Sequence, residues 1–375
     1  MKPFLLVSCF LFVLACSEKT ADKTASLTKF TVTLLDTVYV DSGEEILYLQ
    51  SGLGGAHWSD DGAYLYNFNL YDNALEIIDL YNLKLDKKIH FDKEGPNGTG
   101  RVQNVCYAGD GKIALSEFHQ IGLFDINASK QATHKPRSEV FKKDSLLSNE
   151  TLDVSGVLDE NGQNFISFYT IGFANPLGIA KLNLQDNALT KTPIPALADW
   201  SAHRLEWTDE NGSSAAYPAI HLHRVNDKVL LYSEAKNELF VYDPTDEAVA
   251  HFTFHSELMP NSRSPLSKTD VQSDEEFQEV LKEFRHQVRF LHFTYDKTHK
   301  RYYRFSQFFV NAGSENASVK PLLTVFDENF EQLYETSSLP VDKIYTTYFA
   351  KEGKIYLYEN MMDEMAFIVL QIEEG

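Results

Sequence analysis

The sequence predicts an all-β protein, a β-propeller of six four-stranded blades, and three observations support this class. Strand signals recur in a fixed order, aromatic residues are abundant with 26 Phe and 19 Tyr, and the turns carry Gly, Asn and Asp. Aromatic residues favour strands, and Gly, Asn and Asp tolerate the positive φ of hairpin turns. A single blade cannot bury both faces of its sheet, so the blades are expected to stack into a closed ring.

Residues 1–15 have the pattern of a signal peptide. Lys2 supplies a positive charge, and the apolar run from Phe4 to Leu14 is shorter than the ~20 residues that a transmembrane helix needs. Val13-Leu14-Ala15-Cys16 closes the run and resembles the lipobox of bacterial lipoproteins. We therefore expect a lipid anchor on Cys16, followed by a flexible tether over 16–28 that is rich in Ser, Thr, Ala, Lys and Asp.

The remaining chain, 29–375, is predicted to form one propeller domain. Four clear copies of a unit join two apolar strands through a polar turn, and these turns are Asp72-Asn73, His119-Gln120, Lys236-Asn237 and Asp363-Glu364. Two looser copies run from Val157 to Leu182 and from Phe290 to Asp327. The spacing of roughly 45 to 75 residues fits four-stranded blades with loop insertions.

Six copies leave the last blade one strand short, because the final copy ends near Ile372. Phe30 to Leu35, or the nearby segment Thr37 to Val40, is a candidate for the strand that completes this blade and closes the ring. Seven or eight blades remain open, because Ala196 to Tyr217 could contain further strands.

One segment has helical periodicity. Ser273 or Asp274 can cap a helix with an acidic first turn, and one face of that helix is apolar, with Phe277, Val280, Leu281 and Phe284. We predict a helix over 274–287, inserted between blades, that either packs on the propeller or serves as a lid or docking element.

Two motifs carry a resemblance to known propellers. His57-Trp58-Ser59-Asp60-Asp61-Gly62 resembles the turn motif of TolB-type propellers, with Asp60 at the position of the usual Pro. Glu94-Gly95-Pro96-Asn97-Gly98-Thr99-Gly100 resembles the segment between blades of Bacteroidetes propeller lipoproteins. With the lipobox, the whole chain is similar to a family of Bacteroidetes lipoproteins among the TolB-like and NHL-like propellers. The resemblance implies a six-bladed propeller in the cell envelope and no particular activity.

The formal net charge of −20 disfavours nucleic acids and anionic lipid surfaces as partners. Of the three cysteines, Cys9 leaves with the signal peptide and Cys16 carries lipid, so Cys106 has no partner for an internal disulfide. Its apolar neighbours indicate a buried position. We expect a monomer, anchored by Cys16 to the outer membrane and facing the periplasm or the cell surface, with an envelope protein or a glycan as its partner.

His221-Leu222-His223-Arg224 is the most suggestive short cluster, because residues two apart on a strand point to the same face. Inner strands line the channel of a propeller, so this cluster could hold a polar ligand. A metal ion at the channel mouth remains open, although zinc would need a further ligand, and the sequence predicts no cofactor. Other candidate ligand-binding residues are Arg204, Trp207, Arg289, His292, Arg101, Arg304 and His57. Converging arginines would suit a carboxylate, a phosphate or a sugar acid.

The sequence contains no nucleophile elbow, no His-Glu-x-x-His motif and no Cys-x-x-Cys pair. The leading hypothesis is a membrane-anchored envelope lipoprotein whose propeller binds a protein or glycan. The alternative is a propeller enzyme of the lactonase, lyase or glycan-hydrolase type, with a His/Arg or metal site at the channel mouth. A third option is a structural subunit of an envelope complex, for which an exposed apolar patch around 274–287 would argue.

Overall fold

A computed structural model describes residues 29–59, 61–108, 111–172, 175–210, 212–311 and 318–375. The predicted signal peptide, the lipidation site Cys16 and the tether lie outside the described residues, so they stay predictions. Among the helices described, none has both the length and the apolar character needed to cross a bilayer.

The first described strand, β1 (Phe30–Tyr39), belongs to the last blade. The first blade contains β2 (His57–Trp58), β3 (Tyr64–Asn69), β4 (Ala74–Asp79) and β5 (Lys84–His90). The second blade contains β6 (Asn104–Tyr107), β7 (Ile113–Glu117), β8 (Gln120–Phe124) and β9 (Lys130–His134).

The third blade has a divided inner strand and an additional edge strand. It contains β10 (Lys142–Lys143), β11 (Glu150–Leu152), β12 (Val157–Leu158), β13 (Asn164–Ile171), β14 (Pro176–Asn183) and β15 (Ala188–Pro193). Both β11 and β12 pair with β13, and β10 pairs with β15 at the outer edge. A 3-10 helix, Pro195–His203, and the hairpin β16 (Leu205–Asp209) and β17 (Gly212–Ala216) follow this blade.

The fourth blade contains β18 (Ile220–Val225), β19 (Lys228–Ser233), β20 (Glu238–Tyr242) and β21 (Val249–Thr253), and helix α1 (Asp274–Arg285) follows it. The fifth blade contains β22 (Arg289–Asp296), β23 (Arg301–Val310), β24 (Ser318–Phe326) and β25 (Gln332–Thr336). The sixth blade contains β26 (Tyr348–Lys351), β27 (Lys354–Met361) and β28 (Glu364–Glu374), with β1 as its outermost strand.

The ring closes by pairing of the first and last strands. Strand β1 runs antiparallel to β28, with Phe30 opposite Glu374 and Tyr39 opposite Ala366. The predicted closing strand is therefore confirmed, and the first of its two candidate segments, 30–35, lies wholly within β1. The turn chemistry also agrees with the prediction, since Asn73 and Asn226 adopt φ of 51° and 54° in hairpin turns.

Six hydrophobic clusters of the described chain each fill the interface between two neighbouring blades. The cluster between the sixth and first blades shows the principle, because Phe349 and Phe367 of one blade meet Leu65 and Ile78 of the next. Burial of apolar surface between blades thus holds the ring together. As expected, Cys106 is buried, in the cluster between the second and third blades.

The two insertions beside the fourth blade pack on each other. Residues 196–217 add a 3-10 helix and a hairpin that is hydrogen-bonded to no blade in the described chain, so the blade count is six. The predicted helix begins at Asp274, where the Ser273 hydroxyl accepts a hydrogen bond from the Glu276 amide at 3.2 Å, and it ends two residues before 287. Its apolar face is covered, because Phe277 packs in a cluster with Leu205 of the hairpin.

Candidate functional site

The six inner strands begin at the same end of the channel, and their first residues surround a cavity of about 500 Å³. We call it the channel-mouth cavity. Each of the six blades contributes residues to the wall of this cavity. One residue from each blade, in the order of the blades, is His57, Asn104, Gly156, His221, Arg289 and Thr347. The cavity therefore exists only because the ring closes.

Four imidazoles from three blades line this cavity. His221 and His223 on β18 point to one face, as strand alternation predicts, and His57 and His292 come from the first and fifth blades. The ring centroids of His223 and His292 lie 6.4 Å apart. The His292 ring stacks on Tyr348 at 3.9 Å, and its Nε2 lies 2.9 Å from the Tyr348 carbonyl oxygen. Packing thus fixes the orientation of His292.

The arginine and the glutamate of the described cavity wall pair with each other. Arg289 donates from Nε to Glu234 Oε2 at 2.9 Å and from Nη2 to Oε1 at 2.6 Å. His221 Nε2 lies 3.6 Å from the same Oε1. Burial raises the pKa of Glu234, but the interactions with His221 and Arg289 outweigh burial and hold that pKa at about 2. The pair is ionised at neutral pH and adds no net charge to the cavity.

Three of the imidazoles are neutral at physiological pH. Burial lowers the pKa of His57 to about 4, with a contribution from the charge of Arg224. Burial lowers the pKa of His292 to about 4 and that of His223 to about 3, and the neighbouring His292 and His57 add to the effect on His223. A neutral imidazole offers one hydrogen-bond donor and one acceptor.

Two further sequence-predicted residues lie next to the cavity. Arg224 is buried deeper in the channel, where it lines a narrow space together with His223 and His292. Arg101 lines an adjoining pocket of about 290 Å³ that shares residues such as Gln103 with the channel-mouth cavity.

The structure places the other three predicted residues away from the channel. Arg304 lies on a second strand, whose faces contact neighbouring blades, and its guanidinium is buried 4.8 Å from the ring centroid of Phe293. Arg204 and Trp207 lie at the inserted hairpin and not in a blade. Arg204 pairs with Glu206, and Trp207 packs against Phe277 of the helix.

Sequence reasoning missed several residues of the cavity wall, which are Asn104, Tyr232, Glu234, Thr346 and Thr347. Glu234 had a signal, because it is an acidic residue directly after the apolar run of β19. The others carry no distinguishing pattern, since polar residues at the start of an inner strand look like ordinary loop residues.

Within the described part of the chain, no three His, Cys, Asp or Glu side chains form a group that could hold a metal ion. The pair His221 and His223 therefore has no third ligand of this kind among those residues.

A model of a domain of unknown function, DUF4221, matches residues 29–337. The chain belongs to the DUF4221 family. A solved DUF4221 member from Bacteroides vulgatus ATCC 8482 superposes with a TM-score of 0.62 at 13% sequence identity, covering 93% of this chain and 100% of that one. The expected membership of a Bacteroidetes propeller family is thus confirmed.

Two further solved structures share lower similarity with this DUF4221 chain. A candidate exported protein from Bacteroides fragilis NCTC 9343 has a TM-score of 0.45 at 8% identity, covering 95% of this chain and 98% of that one. The β-propeller domain of Cps50 (Swd1) from Myceliophthora thermophila has a TM-score of 0.38 at 8% identity, covering 91% and 100%. No curated protein matches the sequence.

Proposed function

We propose that the protein is an envelope-anchored receptor that binds a neutral saccharide in the channel-mouth cavity. The observation that carries this proposal is the convergence of four histidines from three blades around a charge-balanced Arg289–Glu234 pair. The cavity volume of about 500 Å³ lies within the range of roughly 300–1,000 Å³ typical of small-molecule sites.

The hydrogen-bonding groups of the wall match a polyhydroxylated ligand. A sugar hydroxyl both donates and accepts, and so does a neutral imidazole. Asn104 donates to the Gly156 carbonyl at 3.0 Å, which leaves its side-chain oxygen as an acceptor. The half-buried ring of Trp58 also lines the cavity and provides apolar surface for a sugar ring.

The electrostatics favour a neutral sugar over a sugar acid. Arg289 is already committed to Glu234, and an anion that displaced this carboxylate would leave it largely buried without its partner. The net charge of −20 also disfavours the approach of anions to a cavity whose own charged pair is balanced. The predicted arginine site for an acidic ligand is therefore not the arrangement that we propose.

The location in the proposal comes from the N-terminal sequence. An apolar run followed by a lipobox-like Cys16 supports export and lipid anchoring. An anchored receptor would hold the propeller at the membrane surface, with the channel mouth available to glycans of the envelope or its surroundings.

Titration calorimetry on the full-length protein in detergent tests this function. We expect at least one neutral saccharide of a mono- and oligosaccharide panel to bind, and uronic acids to bind at least tenfold more weakly. His223→Ala and His292→Ala should each weaken binding at least tenfold, whereas the matched variant His119→Ala, in an exposed turn outside the cavity, should not change it. Absence of saccharide binding, or binding that is insensitive to both cavity variants, would overturn the proposal.

The distance of 3.6 Å between His221 Nε2 and Glu234 favours a second candidate, a glycan hydrolase. His221, oriented by Glu234, would accept a proton from the water that attacks the glycosidic carbon. Solvent water would donate a proton to the oxygen of the leaving alcohol as the glycosidic bond breaks, and His221 would then release its proton to solvent. This candidate predicts new reducing ends on incubation with a bound glycan, and their loss in His221→Gln with binding retained. Binding without any cleavage selects the receptor.

A further inference from the structure

A second cavity, of about 610 Å³, lies beside the C-terminal end of helix α1. We call it the helix-side cavity. It shares no lining residue with the channel-mouth cavity, and its wall combines basic and aromatic side chains, which are Arg263, Lys282, His286, Phe308 and Phe309.

Arg263 is a buried cation in this wall, with 4% of its surface exposed. It donates from Nε to the Val288 carbonyl at 3.1 Å and from Nη1 to the Phe284 carbonyl at 3.3 Å. Its guanidinium carbon lies 4.4 Å from the ring centroid of Phe284. These partners are neutral, and among the described residues no carboxylate forms a salt bridge with Arg263.

The charge of Arg263 is only partly compensated by its surroundings. Burial lowers its pKa to about 10, and of the more distant charges Glu234 raises this pKa and Arg289 lowers it, so the group stays protonated at neutral pH. The carbonyls at a helix C-terminus carry together about half a negative elementary charge. An uncompensated buried charge costs free energy, which a bound anion would offset.

The other charges of the wall add to a positive site. Lys282 is exposed in the last turn of the helix and forms no salt bridge with a carboxylate of the described chain. Glu283 also lines the cavity, but its carboxylate accepts from the Ser267 amide at 3.0 Å and from the Ser267 hydroxyl at 2.6 Å. A positive cavity therefore exists on a chain whose net charge is −20.

One part of the remaining wall is apolar. Phe308 packs against the cluster that contains Met259 and Val288, and the ring of Phe309 lies 5.0 Å from that of His286. One side of the cavity thus suits a negative charge and the other suits a hydrocarbon or aromatic body.

We propose that the helix-side cavity is a binding site for a small organic anion, a carboxylate carried on an aromatic or aliphatic body. The carboxylate lies against Arg263 and Lys282, and the body lies against Phe308 and Phe309. This site is independent of the saccharide receptor proposed above.

Titration calorimetry with phenylacetate and with its neutral isostere phenylacetamide tests this site on the full-length protein. We expect phenylacetate to bind at least tenfold more tightly than phenylacetamide. Lys282→Gln should weaken phenylacetate binding at least threefold, whereas Arg285→Gln, an exposed residue of the same helix that does not line the cavity, should leave it unchanged.

Arg263→Gln removes the central cation, and because this variant also loses contacts to the end of the helix, its fold is checked by thermal unfolding. Lys282→Gln keeps the test decisive if Arg263→Gln does not fold. No phenylacetate binding, equal binding of the neutral isostere, or an unchanged affinity in Lys282→Gln would overturn the anion site. Saccharide binding at the channel mouth is measured separately, so failure of one proposal is distinguishable from failure of the other.

Discussion

The carboxylate of Glu234 bridges two blades through Arg289, with Nη2 of the arginine 2.6 Å from Oε1 of the glutamate. Glu234 follows the second strand of the fourth blade, and Arg289 begins the inner strand of the fifth. The Glu234 carbonyl also accepts a hydrogen bond from the Phe290 amide at 3.2 Å. One residue thus joins neighbouring blades by side chain and backbone at the edge of the candidate site.

Glu234→Gln should destabilise the protein by about 2 kcal/mol at pH 7, because it leaves a partly buried Arg289 without its counter-charge. Urea unfolding measures this free energy. The exposed pair Lys300–Glu328 is the control, and Glu328→Gln should cost under about 0.5 kcal/mol. Equal effects of the two variants would contradict the structural role of the pair.

The same glutamate predicts an acid-dependent loss of stability. Its folded pKa of about 2 lies below the ordinary pKa of 4.5 of a glutamate, so its contribution to stability is present above pH 4.5 and is lost as the pH falls towards 2. In Glu234→Gln the unfolding free energy should fall less steeply over this interval than in the wild type. Parallel pH profiles would show that Glu234 is not stabilised as the carboxylate.

The imidazoles of the cavity wall predict a second pH dependence, at milder acidity. His57, His223 and His292 have folded pKa values of about 3 to 4. As the pH falls below 6.5, these histidines therefore bind protons in the unfolded chain before they do so in the folded chain, which favours unfolding. At pH 5 each should favour unfolding by about 2 kcal/mol relative to pH 7. Urea unfolding of His223→Gln should show a smaller loss between pH 7 and 5, whereas His119→Gln should keep the wild-type loss.

We predict that the buried charge of Arg304 is not needed for the stability of the fold. It is 1% exposed, its Nε and Nη1 atoms have no hydrogen-bond partner, and burial lowers its pKa to about 9. Arg304→Met keeps much of the volume and removes the charge, so stability should stay the same or rise by about 1 kcal/mol. Arg304→Ala leaves a cavity and should cost about 3 kcal/mol. A large loss in Arg304→Met would mean that contacts with the surrounding phenylalanine rings outweigh the desolvation of the guanidinium.

Deletion of β1 should open the ring. A chain that lacks residues 1–40 loses Phe30 and Val32 from the cluster around Leu370 and leaves β28 as an edge strand. We expect a melting temperature at least 10 °C lower and aggregation, measured by thermal unfolding and light scattering. The control lacks residues 1–28 and keeps β1. Equal melting of the two chains would contradict closure by this strand.

Patterns formed by residues that are close in sequence were sufficient to predict the architecture. Strands of alternating apolar and polar residues, and turns with Asn and Asp such as Asp72-Asn73, are formed by neighbouring residues. Their pattern can therefore be read directly from the sequence. The helix beginning at Asp274 was predictable for the same reason, because its cap and its apolar face lie within a few turns of chain. The closing role of β1 followed from counting strands.

The tertiary structure alone decided which polar residues share a cavity. His57, His221 and Arg289 meet because ring closure brings together the starts of inner strands that are far apart in sequence. Arg304 looked equivalent to Arg289 in sequence, yet its position on a second strand places it between blades. Sequence patterns report the face of a strand towards which a residue points, whereas the neighbours across a channel depend on the stacking of all six sheets, which no local pattern encodes.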